Sequence, residues 1–331
     1  MLLFLHVVLT IFICVCGYDI DDYNLQYYSE TLPSKLSLTN DSKHNLLLPF
    51  NTTRLPSSNE SLEIREFIKS HFANNLDSEW IVEEDTHFEN GLNFTNLIFT
   101  WNPTAASFIV LAAHYDTKFE PAGFIGAMDS AASCAIMMYA AEFMDEAFQH
   151  DSLLINHNMG LKIVFFDGEE AVKDWTPEDS LYGARHLAES WEKNKLLPRI
   201  EILILMDLIG GKTQVKIPSY YRQGHPYYQL LDSIEDAYLT TEFAEETSHH
   251  KELDVEDIAY LLINQVLIED DHVPFYKKGV APLHLIPTPF PPQWHTIDDD
   301  FDHLDQGEVN KWAVMMCECL HELFALPANV T

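Results

Sequence analysis

Along most of the chain, apolar residues fall in short continuous runs separated by segments with helical spacing. Five runs, Leu97 to Trp101, Ser107 to Ala113, Leu161 to Phe166, Ile200 to Met206 and Leu283 to Ile286, have the length and apolarity of strands buried on both faces. Between and after them, helices are expected over Ser130 to Glu146, Ser180 to Lys193, Tyr227 to Tyr238 and Gln306 to Leu323. Another is expected over Glu63 to Phe72, where Ile64, Phe67, Ile68 and Phe72 form one stripe behind a Ser61 cap. Strands alternating with helices predict a single α/β domain of three layers, α/β/α, around a mixed, mostly parallel sheet.

The regions before this pattern differ in character. Residues Leu2 to Cys16 are apolar apart from His6 and Thr10 and lead to Gly17, which predicts a signal peptide over residues 1–17. The run is shorter than the roughly 20 residues a spanning helix needs, so no stable membrane insertion is expected after cleavage. It lacks a preceding Lys or Arg, which leaves an uncleaved anchor as the alternative. Residues 18–61 are polar and broken by Pro33, Pro49 and Pro56, and are expected to form an extended arm ahead of a catalytic domain over 62–326. The acidic segment from Glu242 to Asp257 is expected to be a surface excursion, with His249 and His250 solvated.

Charge and cysteines narrow the setting. The 331 residues carry 52 acidic and 19 basic side chains, a formal net charge of −33, which disfavours nucleic acid as a partner because phosphate binding draws on Lys and Arg. Sequons at Asn40, Asn51, Asn59, Asn93 and Asn329 point to the secretory pathway, with the protein secreted or luminal in Golgi or vacuole. Once Cys14 and Cys16 leave with the signal, Cys134, Cys317 and Cys319 remain, which form no disulfide framework and are expected to pack in the core. A monomer is expected.

Polar residues recur where the strands end: His114-Tyr-Asp116, Asp167-Gly-Glu169-Glu170, Asp207-Leu-Ile-Gly210 and, after the last strand, Trp294-His295-Thr296, with Asp129 at the start of the helix after the Ser107 to Ala113 strand. The carboxyl edge of an open parallel sheet is where ligands bind. Any one of these carboxylates could simply cap a helix. Together, oxygen and imidazole donors from separated segments match a catalytic zinc that keeps one position open. In the pair Glu169-Glu170, one carboxylate can hold metal while its neighbour moves protons.

The motifs LAAHYDTK at 111–118, GAMDSA at 126–131, FFDGEEA at 165–171, WTPEDSLYGARH at 175–186, LMDLIG at 205–210, EDDHVPF at 269–275 and HLIPTPFPPQWHT at 284–296 resemble those of glutaminyl cyclases, glutaminyl-peptide cyclotransferases with a zinc aminopeptidase-like fold. The resemblance spans residues from about 60 to 325. It implies one zinc on Asp129, Glu170 and His295, with Glu169 as general acid/base, and Asp207 and Asp270 in a carboxylate hydrogen-bond network. It further implies a substrate pocket walled by Trp175, Phe290 and Trp294, beside Glu269, for peptides or proteins that begin with Gln. Crowding predicts that Asp207 or Asp270 holds a proton part of the time. The chain departs from animal relatives at Ala113, where they carry a Cys bonded to the match of Cys134, and at Glu269, where they carry Gln.

Two other functions compete. In a zinc aminopeptidase, His114, Asp129, Glu170, Asp207 and His295 would hold two zinc ions, with Asp129 bridging and Glu169 activating water. In a noncatalytic binding module the metal would be lost, yet every ligand type is present here.

Overall fold

The computed structural model describes residues 18–150, 155–212, 216–244 and 268–325. Six strands form one sheet: β1 (Ile81–Glu89), β2 (Leu92–Trp101), β3 (Ser107–His114), β4 (Met159–Phe166), β5 (Ile200–Met206) and β6 (Pro282–Leu285), in the order β1-β2-β4-β3-β5-β6. The pairs β1/β2 and β2/β4 are antiparallel, and β4/β3, β3/β5 and β5/β6 are parallel. The sheet is therefore mixed, with a parallel half that carries the polar strand ends. From β3 the chain crosses to β4 on one side and later to β5 on the other, so the carboxyl end of β3 is a topological switch point.

Alternate strand residues face two different layers. Ile109, Leu111, Ala113, Ile163 and Phe165 join a large core under α1 (Asp22–Lys35), α2 (Asn59–Asn74), α3 (Ala132–His150), α5 (His225–Tyr238) and α7 (Gln306–Phe324). Val110, Ala112, Val164 and Phe166 join a smaller core under α4 (Tyr182–Lys193) and the short α6 (Val273–Tyr276). The expected strands and helices match β2 to β6, α2 to α5 and α7, with ends shifted by a few residues.

The structure corrects four expectations. The segment 18–61 is not an extended arm: α1 places Tyr28, Leu32 and Leu36 in the large core, and Leu46, Leu47 and Phe50 follow them. Apolar side chains four apart outweigh the local polarity, and Pro33 sits in the last turn of α1, where it does not disrupt the body of the helix. Helix α2 starts earlier than expected, with Ser58 rather than Ser61 as its cap, accepting from the Ser61 N–H at 3.0 Å. The edge strand β1 was unexpected because its residues are exposed and acidic, although the Asn90-Gly91 turn, with both φ positive, marks a two-residue hairpin. Helix α3 begins at Ala132, so Asp129 lies in the turn before it. Most of the Glu242 to Asp257 segment, including His249 and His250, lies outside the described residues, as do residues 1–17.

Helix α1 is fastened to α7 by the buried Glu318, whose carboxyl accepts from Tyr18 Oη at 2.7 Å, Asn24 Nδ2 at 2.9 Å and Tyr28 Oη at 2.5 Å. Replacing it strands two buried donors. Glu318→Leu is expected to lower stability by about 3 kcal/mol in urea unfolding. An unchanged midpoint would contradict a docked N-terminal helix.

Candidate metal centre and active site

The parallel strands deliver their polar ends to one crevice. Beyond β4 the chain turns at Gly168, whose φ is +71° and where a Cβ would stand 2.3 Å from the Phe94 ring. Asp116, just past β3, accepts from the Glu169 N–H at 3.1 Å and the Glu170 N–H at 3.3 Å, which fixes the backbone of the paired glutamates. Asp129 sits in the turn Ala127–Ala131. That turn follows Gly126, where a Cβ would lie 2.0 Å from the Asp129 carbonyl oxygen. Asp299 secures it from the far side, taking the Met128 N–H on Oδ1 at 2.8 Å. His295 has a φ of +56°, its ring stacked on Trp294 at 3.9 Å and met edge-on by Phe124.

Asp129, Glu170 and His295 converge from these three segments. His295 Nε2 lies 3.1 Å from Glu170 Oε1 and 3.6 Å from Asp129 Oδ2. Both carboxylate oxygens are buried and have no hydrogen-bond donor. Buried oxygens normally have partners, so the pair is open to a cation. Lys118 Nζ, 3.4 Å from Glu170 Oε2, touches the other oxygen. A second, adjoining cluster joins His114, Asp129 and Asp207: His114 Nε2 is 2.9 Å from Asp129 Oδ1 and 3.5 Å from Asp207 Oδ1. The two clusters share Asp129.

The remaining candidates surround these clusters. Asp207 Oδ1 takes the Ser130 hydroxyl in a short bond and the Leu208 N–H at 2.8 Å. Asp270 takes His284 Nε2 at 2.7 Å on Oδ2 and the Asp271 N–H at 2.6 Å on Oδ1. Trp175 and Trp294 are 40 % and 38 % exposed, high for indoles, and so stand at the surface rather than in the core. Trp175 donates to Glu269 Oε2 at 3.3 Å, and Phe290 packs against Trp294 at 4.7 Å. Cys134 is a buried free thiol donating to the His114 carbonyl at 3.2 Å, and Cys317 and Cys319 are buried and free.

Crowded burial sets the protonation. Burial, reinforced by Glu170 and Asp207, pushes the Asp129 carboxyl up to about 6. Burial raises Glu169 well above the usual carboxylate range; His114 opposes this, while Glu170, Asp270 and Asp271 add to it. Of the two carboxyls, Asp207 and Asp270, one of which was expected to hold a proton part of the time, Asp207 is pushed up by burial, but His114 and the Ser130 hydroxyl outweigh this and hold it below its ordinary value. Burial alone would lower His114, yet Asp116, Asp129 and Asp207 raise it well above the ordinary imidazole range.

Residues 96–320 match the model of peptidase family M28. The chain is 36% identical to a glutaminyl-peptide cyclotransferase of Bothrops jararaca over 83% of its own length and 79% of the relative's. The chain belongs to peptidase family M28 and, within it, to the glutaminyl cyclases. It is also 44% identical to an uncharacterized protein of Saccharomyces cerevisiae, over 92% of this chain and 90% of that one. The crystal structure of Macrostomum lignano glutaminyl cyclase superimposes on this M28 chain with a TM-score of 0.74 at 28% identity, covering 95% of this chain and 97% of the other. The mixed sheet between helical layers is the fold of this family.

Several residues of this glutaminyl cyclase site were not singled out from the sequence. Asp271 was seen only within the EDDHVPF motif and Asp299 was given no role, yet both are buried. Ser130 and His284 were seen only as members of motifs. Arg54 lay in the presumed arm. Another member, Asp167, is fully buried and pushed up to about 8 by burial and Asp116. A carboxyl raised on folding contributes stability below its unfolded value that is lost as pH rises through its folded value. In chelated protein, stability is therefore expected to fall from about pH 5 to about pH 8. Asp167→Asn, which can still accept the Thr95 N–H now bound at 2.8 Å, is expected to make that decline shallower in urea titrations. Equal slopes would contradict a protonated Asp167.

Proposed function

We propose that the chain is a zinc-dependent glutaminyl-peptide cyclotransferase that converts an N-terminal Gln of peptides or proteins to pyroglutamate and releases ammonia. The observation that carries this reading is the orphaned pair Asp129 Oδ2 and Glu170 Oε1 facing His295 Nε2, with Glu169 buried one residue away. Two carboxylate oxygens and one imidazole nitrogen form the three-donor set that a catalytic zinc uses, so the residues present fit the metal. When bound, zinc supplies a Lewis acid for the substrate's γ-carboxamide oxygen.

The rest of the chemistry falls to side chains. The substrate's α-amine attacks Cδ of its own carboxamide, forming the N–Cδ bond, and the C–NH2 bond breaks. Glu169 takes the proton from the attacking nitrogen and returns it to the leaving one, so ammonia departs and no water is consumed. A carboxyl raised by burial is suited to both transfers, as a stronger base and a readily refilled acid. Asp207, oriented by Ser130 and the Leu208 N–H, and Asp270, oriented by His284, hold the reacting amide in place. Trp175, Phe290 and Trp294 wall a compact, curled N-terminal residue, with Glu269 tying down the Trp175 indole.

The two-metal peptidase reading asks His114 and Asp207 to bind a second ion. Against it, Asp207 Oδ1 already takes two donors besides its contact with His114. His114 is also held toward its protonated form by Asp116, Asp129 and Asp207, despite burial that opposes it. The further setting is a secreted or luminal monomer, supported by the leader-like residues 1–17 and by exposed Asn40, Asn51, Asn59 and Asn93 in sequons. No helix among the described residues is long and apolar enough to cross a membrane.

Glu169→Gln is expected to lower cyclisation of a Gln-initiated peptide by roughly 10²-fold or more, read as ammonia loss by mass spectrometry, with the metal still bound. Full activity would remove Glu169 from the mechanism. Offered a Gln-initiated and a Leu-initiated peptide side by side, the enzyme is expected to convert only the first. Hydrolysis of the second with two metals per chain would instead support the peptidase.

A further inference from the structure

Arg54 is the most completely buried cation near the metal centre, with no exposed surface and no carboxylate hydrogen-bonded to it. Its donors go instead to backbone carbonyls. Nε donates to Tyr115 at 2.6 Å, Nη1 to Phe50 at 2.8 Å, Thr52 at 2.9 Å and Ile125 at 2.8 Å, and Nη2 to Gly126 at 3.2 Å. Its own backbone is locked in turn, the N–H to Thr117 Oγ1 at 2.8 Å and the carbonyl to the Thr117 N–H at 3.3 Å.

These carbonyls belong to the segments that build the site. Tyr115 lies between His114 and Asp116, the residue that fixes the Glu169-Glu170 backbone. Gly126 precedes the Asp129 turn, and its carbonyl also takes the Ala131 N–H at 3.1 Å, closing that turn. One planar fork therefore sets the spacing between the end of β3 and the turn that presents Asp129. A buried guanidinium is expensive; burial lowers Arg54, and Asp116, Asp299 and Asp129 offset part of this through space. The residue that does this comes from the N-terminal segment.

We propose that Arg54 is a positioning residue of the metal centre: it joins the N-terminal segment to the Asp129 turn, presets that turn for zinc and offsets part of the repulsion among the carboxylates. This rests on the reading that Asp129, Glu170 and His295 bind the metal. Lysine keeps the charge but cannot make the fork.

The test is zinc affinity of the full chain by chelator competition, alongside urea unfolding of the zinc-free protein. Arg54→Lys is expected to weaken zinc binding about tenfold or more, the range found when the groups behind metal ligands are lost. Its cyclase activity should recover as free zinc is raised, which a general loss of folding would not produce. Thr117→Val loosens the same clasp more gently and is expected to shift affinity in the same direction by less, so the proposal stands or falls even if Arg54→Lys folds poorly. A control of similar destabilisation, Ile234→Ala in the core of α5, should leave zinc affinity unchanged. Wild-type affinity in both Arg54→Lys and Thr117→Val would overturn the role of Arg54 while leaving the metal centre intact. Failure of the wild type itself to bind zinc would overturn both.

Discussion

Mutual repulsion among buried carboxyl groups governs this molecule. Asp116, Asp129, Asp167, Glu169, Glu170, Asp207, Asp270, Asp271 and Asp299 are all buried around the carboxyl edge of the parallel strands. Water cannot screen them, so each must be protonated, hydrogen-bonded or faced by a cation. The structure uses all three: a proton on Asp167, backbone N–H groups on Asp116 and Asp299, and His114, Arg54 and Lys118 nearby. Asp129 Oδ2 and Glu170 Oε1, like both Asp271 oxygens and Asp299 Oδ2, have no donor, and the first two face His295 in an arrangement a divalent ion would satisfy. Packing thus gathers donors that could hold a metal ion.

The fold holds such a cluster because its crevice lies at the switch point beyond β3, with β4 and β5 on either side. Apolar cores on both faces of the sheet anchor the strand ends, and rigid strands keep ligands from three segments in register. The N-terminal segment closes the structure twice over, through Tyr18, Asn24 and Tyr28 on Glu318 and through Arg54 on the carbonyl that precedes the Asp129 turn. It is part of the working enzyme rather than a leader to it.

What could be read in the chain followed from how strongly each feature is written locally. Buried strands such as Ile163 to Phe166 are apolar runs, and their polar ends announce the crevice. The strand at Ile81–Glu89 is written weakly because an edge strand faces water and its charges mask the alternation; only Asn90-Gly91 betrays it. Helix α1 was hidden by its polar surface, although Tyr28, Leu32 and Leu36 recur every four residues. The convergence of Asp129, Glu170 and His295 came from resemblance, since spacing shows that ligands exist but not which of them meet. Which carboxyl keeps its proton depends on three-dimensional neighbours: Asp207 keeps its charge because His114 and Ser130 face it.

The number and place of the metal ions decide between one-metal cyclisation and two-metal hydrolysis. Anomalous diffraction from crystals of the zinc-loaded protein, recorded at the zinc absorption edge, measures both at once. A single peak among Asp129, Glu170 and His295, with His114 and Asp207 bonded only to protein, is the predicted result. A second peak of comparable height between His114 and Asp207 would contradict it.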